Sequence, residues 1–596
     1  MLGKRSDQQG LFEADHLYLD FVGRDSFYGF LARERGRLFR DEEFAELYVL
    51  DNGCPSVPPS LLATALLLQT HDRVSDEEAK ARADFDLRWK VALGIELDTR
   101  PFAKSTLQLF RSQLILHKRV RAVFQKSLDL ARQTGYLKSQ KIRAALDTSN
   151  ILGRGAVKDT YNLLADGIVS LVRALAEVSG LKPEEWARGH ALSRYFTDSS
   201  LKGQAEIDWE DRKARDGFLS GIVRDADRLL EVAREARARF APESPEHKRL
   251  TEAATLLSQL LLQDVERKPE GGAAIKEGVA RDRVVSVHDP EMRHGRKSET
   301  KRFDGHKAAI AVDTESQLIT AVDVLAGNAP DNQRALELVK ESEVNAEVEV
   351  TEVLGDCAYG DGLTRQEFVD SGKRLVARVP DRPETGYFAK EDFQIDLTDP
   401  KAPTCTCPAG QQTKRLVRKS GYKDRGGKNV QSKAFHFDPA LCDTCPLRAQ
   451  CVKTALGKGR MVSLHPQERL LQEARAFQKS EEYSPYRKWR QVVEHRIARL
   501  MQLGVRQARY FGRAKTLFQL LLAATVANLT LVATRTGLMR SKGTRKALLL
   551  AQSLTRLLVA IGARMASSMT TPTLTTHHPR LRYLQLSTEA GCRLGF

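Results

Sequence analysis

The stretch 350-VTEVLGDCAYGD-361 climbs through apolar residues and stops on Asp356 among Gly, Cys, Ala and Tyr. Its first half reads as a buried strand. A second short apolar run, 141-KIRAALDTSNI-151, also ends on an acid, Asp147. An Asp at a strand end often does no more than start a turn. Two strand-end Asp residues, with small neighbours that let another backbone approach, also suit a different task. Phosphodiester chemistry with two divalent cations needs a few carboxylates converging on one point, with the ions about 3.5–4 Å apart. Mg²⁺ takes hard oxygen ligands and keeps several waters, so two or three carboxylates suffice.

Between these strands the sequence predicts a strongly helical stretch from Ala156 to about Glu277, then a linker at 268-KPEGGAAIKEG-278. Strands are expected at 282-DRVVSVHD-289 and in the pair 308-AAIAVDTESQLITAVDVL-325, which carries turn residues at its middle. The basic loop 290-PEMRHGRKSETKRFD-304 joins them, and a helix is expected over 331–343. Mixed strands with interleaved helices indicate an α/β or α+β core carrying an insertion.

A third carboxylate stands out by charge. The chain has 94 Lys+Arg against 77 Asp+Glu, a net charge of +17, which favours a polyanionic partner. Between Tyr483 and Leu548 there are fourteen Lys/Arg and a single acid, Glu494. Glu494 sits on a predicted helix with Arg490 one turn earlier; the two could form an ordinary surface ion pair. A nuclease surface needs the surrounding cations to neutralise phosphates on either side of the scissile one. Arg296 and Lys307, beside a loop poor in apolar anchors, are further candidates for phosphate contacts.

The remaining signals concern architecture. Residues 15–140 read as short helices with basic faces, either a solvated bundle or a DNA-binding headpiece. The run 516-TLFQLLLAATVANLTLVAT-534 is uncharged and long enough to cross a bilayer, yet it holds Gln519 and Asn528 between basic flanks, which favours a buried helix. The N-terminus shows no apolar leader core, so a cytoplasmic, nucleoid-associated protein is expected. Five of eight cysteines cluster. Cys407, Cys442, Cys445 and Cys451 could supply four thiolates to one structural Zn²⁺, with Cys405 a competing ligand; reduced cysteines packed in a small subdomain are the plainer reading.

Taken in order, "FYGFLARE…FAELYVLDNGCPSVPPSLLATALLLQ", "ALDTSNI", "DPEMRHGRKSETKRFDGHKAAIAVDTESQLI", "AGNAPDNQ", "VLGDCAYGD", the cysteine block, "YRKWRQVVEHRIARL" and "RQARYFGRAKTLFQLLLAATVANL" resemble a DDE-type insertion-sequence transposase, of the IS-eleven-eighty-two-like group. The resemblance implies an RNase H-like mixed-sheet core over 141–155, 281–395 and 466–535, behind an N-terminal helical DNA-binding domain (1–140). It further implies a helical insertion (156–280), a Cys-rich insertion (396–465) and a basic tail (536–596). The catalytic triad would be Asp147, Asp356 and Glu494 with Mg²⁺ or Mn²⁺. Arg490 and Tyr486 would contact DNA, with Arg499 or Arg506 standing in for a basic residue where Met501 occupies its usual place. Asn328 and Asp331 would lie near the site. The expected partners are terminal inverted repeats and target DNA, bound by a homodimer, with no membrane. A nuclease without strand transfer and an inactive DNA-binding descendant are the alternatives.

Overall fold

The structure is a computed structural model that describes residues 1–5, 13–49, 53–197, 200–269, 271–298, 300–379, 386–399, 401–423 and 429–539. Six strands form its main sheet: β1 (Lys141–Leu152), β2 (Arg293–Arg296), β3 (Arg302–Asp313), β4 (Ile319–Ala326), β5 (Glu349–Gly355) and β6 (Arg374–Ala377). Their order is β4-β3-β1-β5-β6, with β2 beside the start of β3 on the same edge as β4. β3 runs antiparallel to β1 and β4, whereas β5 and β6 run parallel to β1. The hairpin read from the sequence is present, and Asp313 closes it by accepting hydrogen bonds from the Ser316 N–H and hydroxyl.

Helices cover both faces. The N-terminal region supplies α1 (Pro59–Asp72) and α2 (Val120–Gln133), among other short helices. A separate bundle is built from α3 (Thr160–Val178), α4 (Arg212–Arg237) and α5 (Pro245–Asp264). Its apolar stripe, including Leu219, Ile222, Val223, Ala226 and Leu229, closes a core of its own. On the sheet, α6 (Ala335–Ala346) and α7 (Gly362–Asp370) pack against Leu146, Ala309, Ala311 and Val353. The other face, with Ala145, Ile310, Val312 and Leu354, meets α8 (Ser484–Leu500) and α9 (Arg513–Arg535).

The long uncharged run is α9, a core helix. Its Leu520–Ala527 stretch is almost wholly buried, sharing one apolar cluster with α1, α2 and the sheet. Asn528 explains the polar residue in this setting. It is fully buried, accepts from the Ile319 N–H (2.9 Å), and donates to the Ile319 carbonyl (2.8 Å) and the Ser127 hydroxyl (3.3 Å). Ile319 lies where the β3–β4 ladder shifts register, so Asn528 satisfies a backbone that the sheet leaves unpaired.

Two expectations need correction. The run 282–289 joins no ladder; the Gln263 side chain instead pairs with both the N–H (2.9 Å) and the carbonyl (3.0 Å) of Val284. The strand in this part of the chain is instead β2, inside the basic loop. The supposed linker holds a strand, Ala273–Ile275, paired with Val265–Arg267. The Cys-rich section forms two small three-stranded sheets around Phe393, Cys405, Phe435, Phe437 and Val462. The basic tail expected over 536–596 lies outside the described residues from 540 onward.

Asn528→Ala strands both polar groups of Ile319 in a dry core, and a loss of about 2–4 kcal/mol of stability is expected. Asn528→Leu, which keeps the volume, should lose a similar amount. Urea titration of both variants checks this; a Leu variant as stable as the parent would show that the hydrogen bonds contribute nothing.

Candidate active site

The ladder between β1 and β5 ends with Ala145 opposite Leu354. Carried two residues further, that register sets Asp147 beside Asp356 at the carboxyl ends of two parallel strands. Asp356 begins a tight turn, its Oδ1 accepting from the Ala358 N–H at 2.9 Å. The glycines around it are sterically required. A Cβ on Gly355 would stand 2.7 Å from the Tyr359 side chain, and one on Gly360 would stand 1.8 Å from the Arg378 carbonyl oxygen.

Asp147, Asp356 and Glu494 line one cleft of about 340 Å³ together with Thr148, Ser149, Asn150, Arg296, Phe303, Lys307 and Asp331. Glu494 comes from α8, with its side chain half exposed. Arg490, one turn earlier, is hydrogen-bonded to Glu494 Oε1 and places Nη1 3.9 Å from Asp147 Oδ2. One guanidinium therefore bridges two of the three acids.

The electrostatics match the geometry. Burial, followed by the charges of Asp356 and Glu494, pushes the Asp147 carboxyl up to about 6, against the opposing pull of the Thr148 N–H and Arg490. Tyr359, 1 % exposed beneath the cleft, is pushed well above its ordinary value by burial and then by Asp147, Asp331 and Asp356. Lys307 is almost buried and donates to Asp331 Oδ1 and the Ala329 carbonyl, each at 2.7 Å. The site is thus an acid-rich, oxygen-donor cleft edged by Arg296, Lys307 and Arg490, and its donor set fits a hard divalent cation. Among the described residues, only Glu13, Asp15 and His16 bring three ligand atoms within 4.8 Å of one another. The three cleft carboxylates do not all come within that distance of one another.

Other sequence-predicted residues lie elsewhere. Tyr486 stands two turns before Glu494, its hydroxyl donating to Glu352 at 2.9 Å. Arg499 donates to Gln502 (3.3 Å), and burial lowers its pKa. Arg506 is exposed, its carbonyl accepting from the Leu152 N–H at the far end of β1. Asn328 ties the Arg281 carbonyl and Asp282. Sequence reading missed Thr148, Asn150 and Phe303, although Thr148 and Asn150 follow Asp147 directly on an extended strand that had been located.

In the Cys-rich module, Cys407, Cys442, Cys445 and Cys451 line one small pocket. The Arg460 N–H points to Cys442 Sγ at 3.5 Å. Cys405 faces the other way, fully buried against phenylalanines, and burial pushes its thiol up to about 12.

In cation-free buffer, Asp147→Asn is expected to stabilise the fold by about 2–3 kcal/mol near pH 7.5. A carboxyl whose folded pKa is raised contributes stability at low pH that is lost as pH rises through about 6, so the advantage of the Asn variant should shrink as pH falls toward about 4. Denaturant titrations at the two pH values check both the sign and the trend.

Comparison with known proteins adds two findings. Residues 21–113 match the family described as "Transposase domain (DUF772)", and residues 406–533 match "Transposase DDE domain". The second match contains Glu494 and the four pocket cysteines; β1 and β5, with Asp147 and Asp356, lie between the two matches. No curated protein and no solved structure matches the chain. One match to a transposase domain thus precedes the sheet, and another, to a transposase DDE domain, runs through the helix that completes its cleft.

Proposed function

We propose that this transposase cuts DNA at the terminal repeats of its own element and joins the freed ends to target DNA, using Asp147, Asp356 and Glu494 as its catalytic carboxylates. The observation that carries this reading is the convergence of these three acids, from three separate elements, on one cation-edged cleft. A sheet ordered β4-β3-β1-β5-β6 with only β3 reversed supports an RNase H-like core, since its central strand and parallel neighbour carry the two Asp residues.

The three carboxylates would hold Mg²⁺ or Mn²⁺, which when bound supplies charge stabilisation to the attacking and leaving oxygens of an in-line displacement. Water attacks the phosphorus first, and the bond to the 3′ oxygen breaks, leaving a 3′-hydroxyl. That hydroxyl then attacks a target phosphodiester, releasing a new 3′-hydroxyl from the target. No bond to the protein forms in either step. Arg296 and Lys307, which line the cleft, would hold phosphate oxygens, and Arg490 would keep Glu494 directed at Asp147. The N-terminal helices and the basic side chains between Arg487 and Arg513 would bind the repeats, and bringing two ends together calls for at least a homodimer on DNA in the cytoplasm. Zn²⁺ held by Cys407, Cys442, Cys445 and Cys451 would tie the Cys-rich module together; Cys405 points into its core instead.

With labelled element ends and Mg²⁺, joined products are expected; cleaved ends without joining would indicate a nuclease, and a shifted band alone a binder. Asp356→Asn should lower cleavage by roughly two orders of magnitude or more while sparing DNA binding. Cleavage that survives this substitution would overturn the assignment.

The purified chain should also carry about one zinc. Cys442→Ser should lose the metal and several degrees of melting temperature, and Cys405→Ala should keep the metal. Metal analysis by mass spectrometry decides between them.

A further inference from the structure

Away from the cleft, at the amino-terminal side of the same three elements, lies a row of charge and aromatic contacts. Arg143 on β1 pairs in register with Glu352 on β5, and Glu352 with Arg374 on β6. Arg143 Nε donates to Glu352 Oε2 at 2.8 Å, and Arg374 Nη1 donates to Oε1 at 3.0 Å. The row reaches α8 through two rings. The Tyr486 hydroxyl donates to Glu352 Oε1 at 2.9 Å, and the Arg143 guanidinium lies 3.7 Å from the Trp489 ring centre. The two rings meet edge to face at 4.8 Å. Burial raises the Glu352 pKa, but the bonds from Arg143 and Tyr486 outweigh it and hold the carboxyl below its ordinary value.

The spacings match. Arg143 precedes Asp147 by four residues and Glu352 precedes Asp356 by four, about 13 Å along a strand. Tyr486 precedes Glu494 by eight residues, about 12 Å along a helix. A pin at one end of three stiff rods of equal length fixes their other ends. We propose that Arg143, Glu352, Tyr486 and Trp489 form a clamp that sets the height of α8 against the two Asp-bearing strands, and with it the cation affinity of the carboxylate trio. Tyr486 is then a positioning residue whose hydroxyl is engaged by Glu352, and its aromatic body serves Arg143 and Trp489 in place of DNA. Arg374 braces the outer edge, its guanidinium lying 4.5 Å from the Phe477 ring centre.

This inference rests on the trio being the cation site, so the test reads cation binding directly. Mn²⁺ is titrated into the full chain by calorimetry and by the electron paramagnetic resonance of free ion, for the parent, Tyr486→Phe, Glu352→Gln and Arg143→Lys. Each variant should bind Mn²⁺ about tenfold more weakly. Combining Tyr486→Phe with Glu352→Gln should cost no more than Glu352→Gln alone, because the two remove one shared hydrogen bond. Affinity for element-end DNA without divalent ion should be unchanged in Tyr486→Phe, and thermal melts confirm that this conservative variant folds. If the variants bind Mn²⁺ as the parent does, or Tyr486→Phe loses DNA affinity at unchanged Mn²⁺ affinity, the clamp is refuted. A parent that binds no Mn²⁺ overturns the carboxylate site itself, and the clamp's purpose with it.

Discussion

Like charges confined to a partly buried cleft repel one another, and at 4 Å with an effective dielectric near 20 a single pair does so by about 4 kcal/mol. Asp147, Asp356 and Glu494 share such a cleft. A flexible scaffold would relieve the repulsion by moving them apart. Here each acid is carried by a different stiff element, and those elements are locked to one another. The parallel ladder of β1 and β5 fixes the two Asp residues, and α8 is held by its packing on the sheet and by Arg490 between Glu494 and Asp147. Burial first, and then the charges of Asp356 and Glu494, raise the Asp147 carboxyl. On the proposed reading a cation between the acids would offset that repulsion, so the same crowding that weakens the empty fold would favour the loaded one.

The rigidity extends to the N-terminal transposase domain. Helix α1, inside the match to that domain, and α2, just after it, share one uninterrupted apolar cluster with α9 and the sheet, and Asn528 fastens α9 to both Ile319 and Ser127. Arg509, just before α9, reaches back to Asp76 at 3.1 Å, alongside Arg111. No solvent layer separates the two regions along this cluster. On the proposed reading, DNA bound by the N-terminal helices would therefore be held at a fixed distance from the cleft.

What the sequence made legible follows from how local each signal was. Asp147 and Asp356 could be located because an apolar run ending on an acid is visible within ten residues, and Glu494 because it is alone among cations. The strand expected at 282–289 has the right valines and no ladder partner, and Gln263 takes the backbone groups of Val284; a side chain some twenty residues away leaves no local mark. β2 was hidden because Arg293, His294 and Arg296 look like a loop, and it pairs at an edge where such residues remain wet. Spacing alone left Cys405 and Cys407 equivalent. The alternation of a three-residue strand, Thr404–Thr406, turns Cys405 inward, while Cys407 lies just beyond its end. Tyr486 was read through its distance from Glu494, whereas its partner Glu352 is 134 residues away.

The placement of the helical bundle and the Cys-rich module obeys the same frame. β1, β5 and β6 are parallel, so their carboxyl ends all lie at the rim that holds the cleft. The chain leaves β1 at Leu152 to build the helical bundle, and leaves β6 at Ala377 to build the Cys-rich module. Each has a core of its own, one around α3, α4 and α5, the other around Phe393, Phe435 and Phe437. Neither needs the sheet for burial, so neither constrains the register that positions the acids. Material added at the carboxyl ends of parallel strands can change what the rim touches while the strands keep the chemistry in place. A polymer substrate much longer than the cleft needs such a rim, and the interior of the sheet offers nowhere else to attach one.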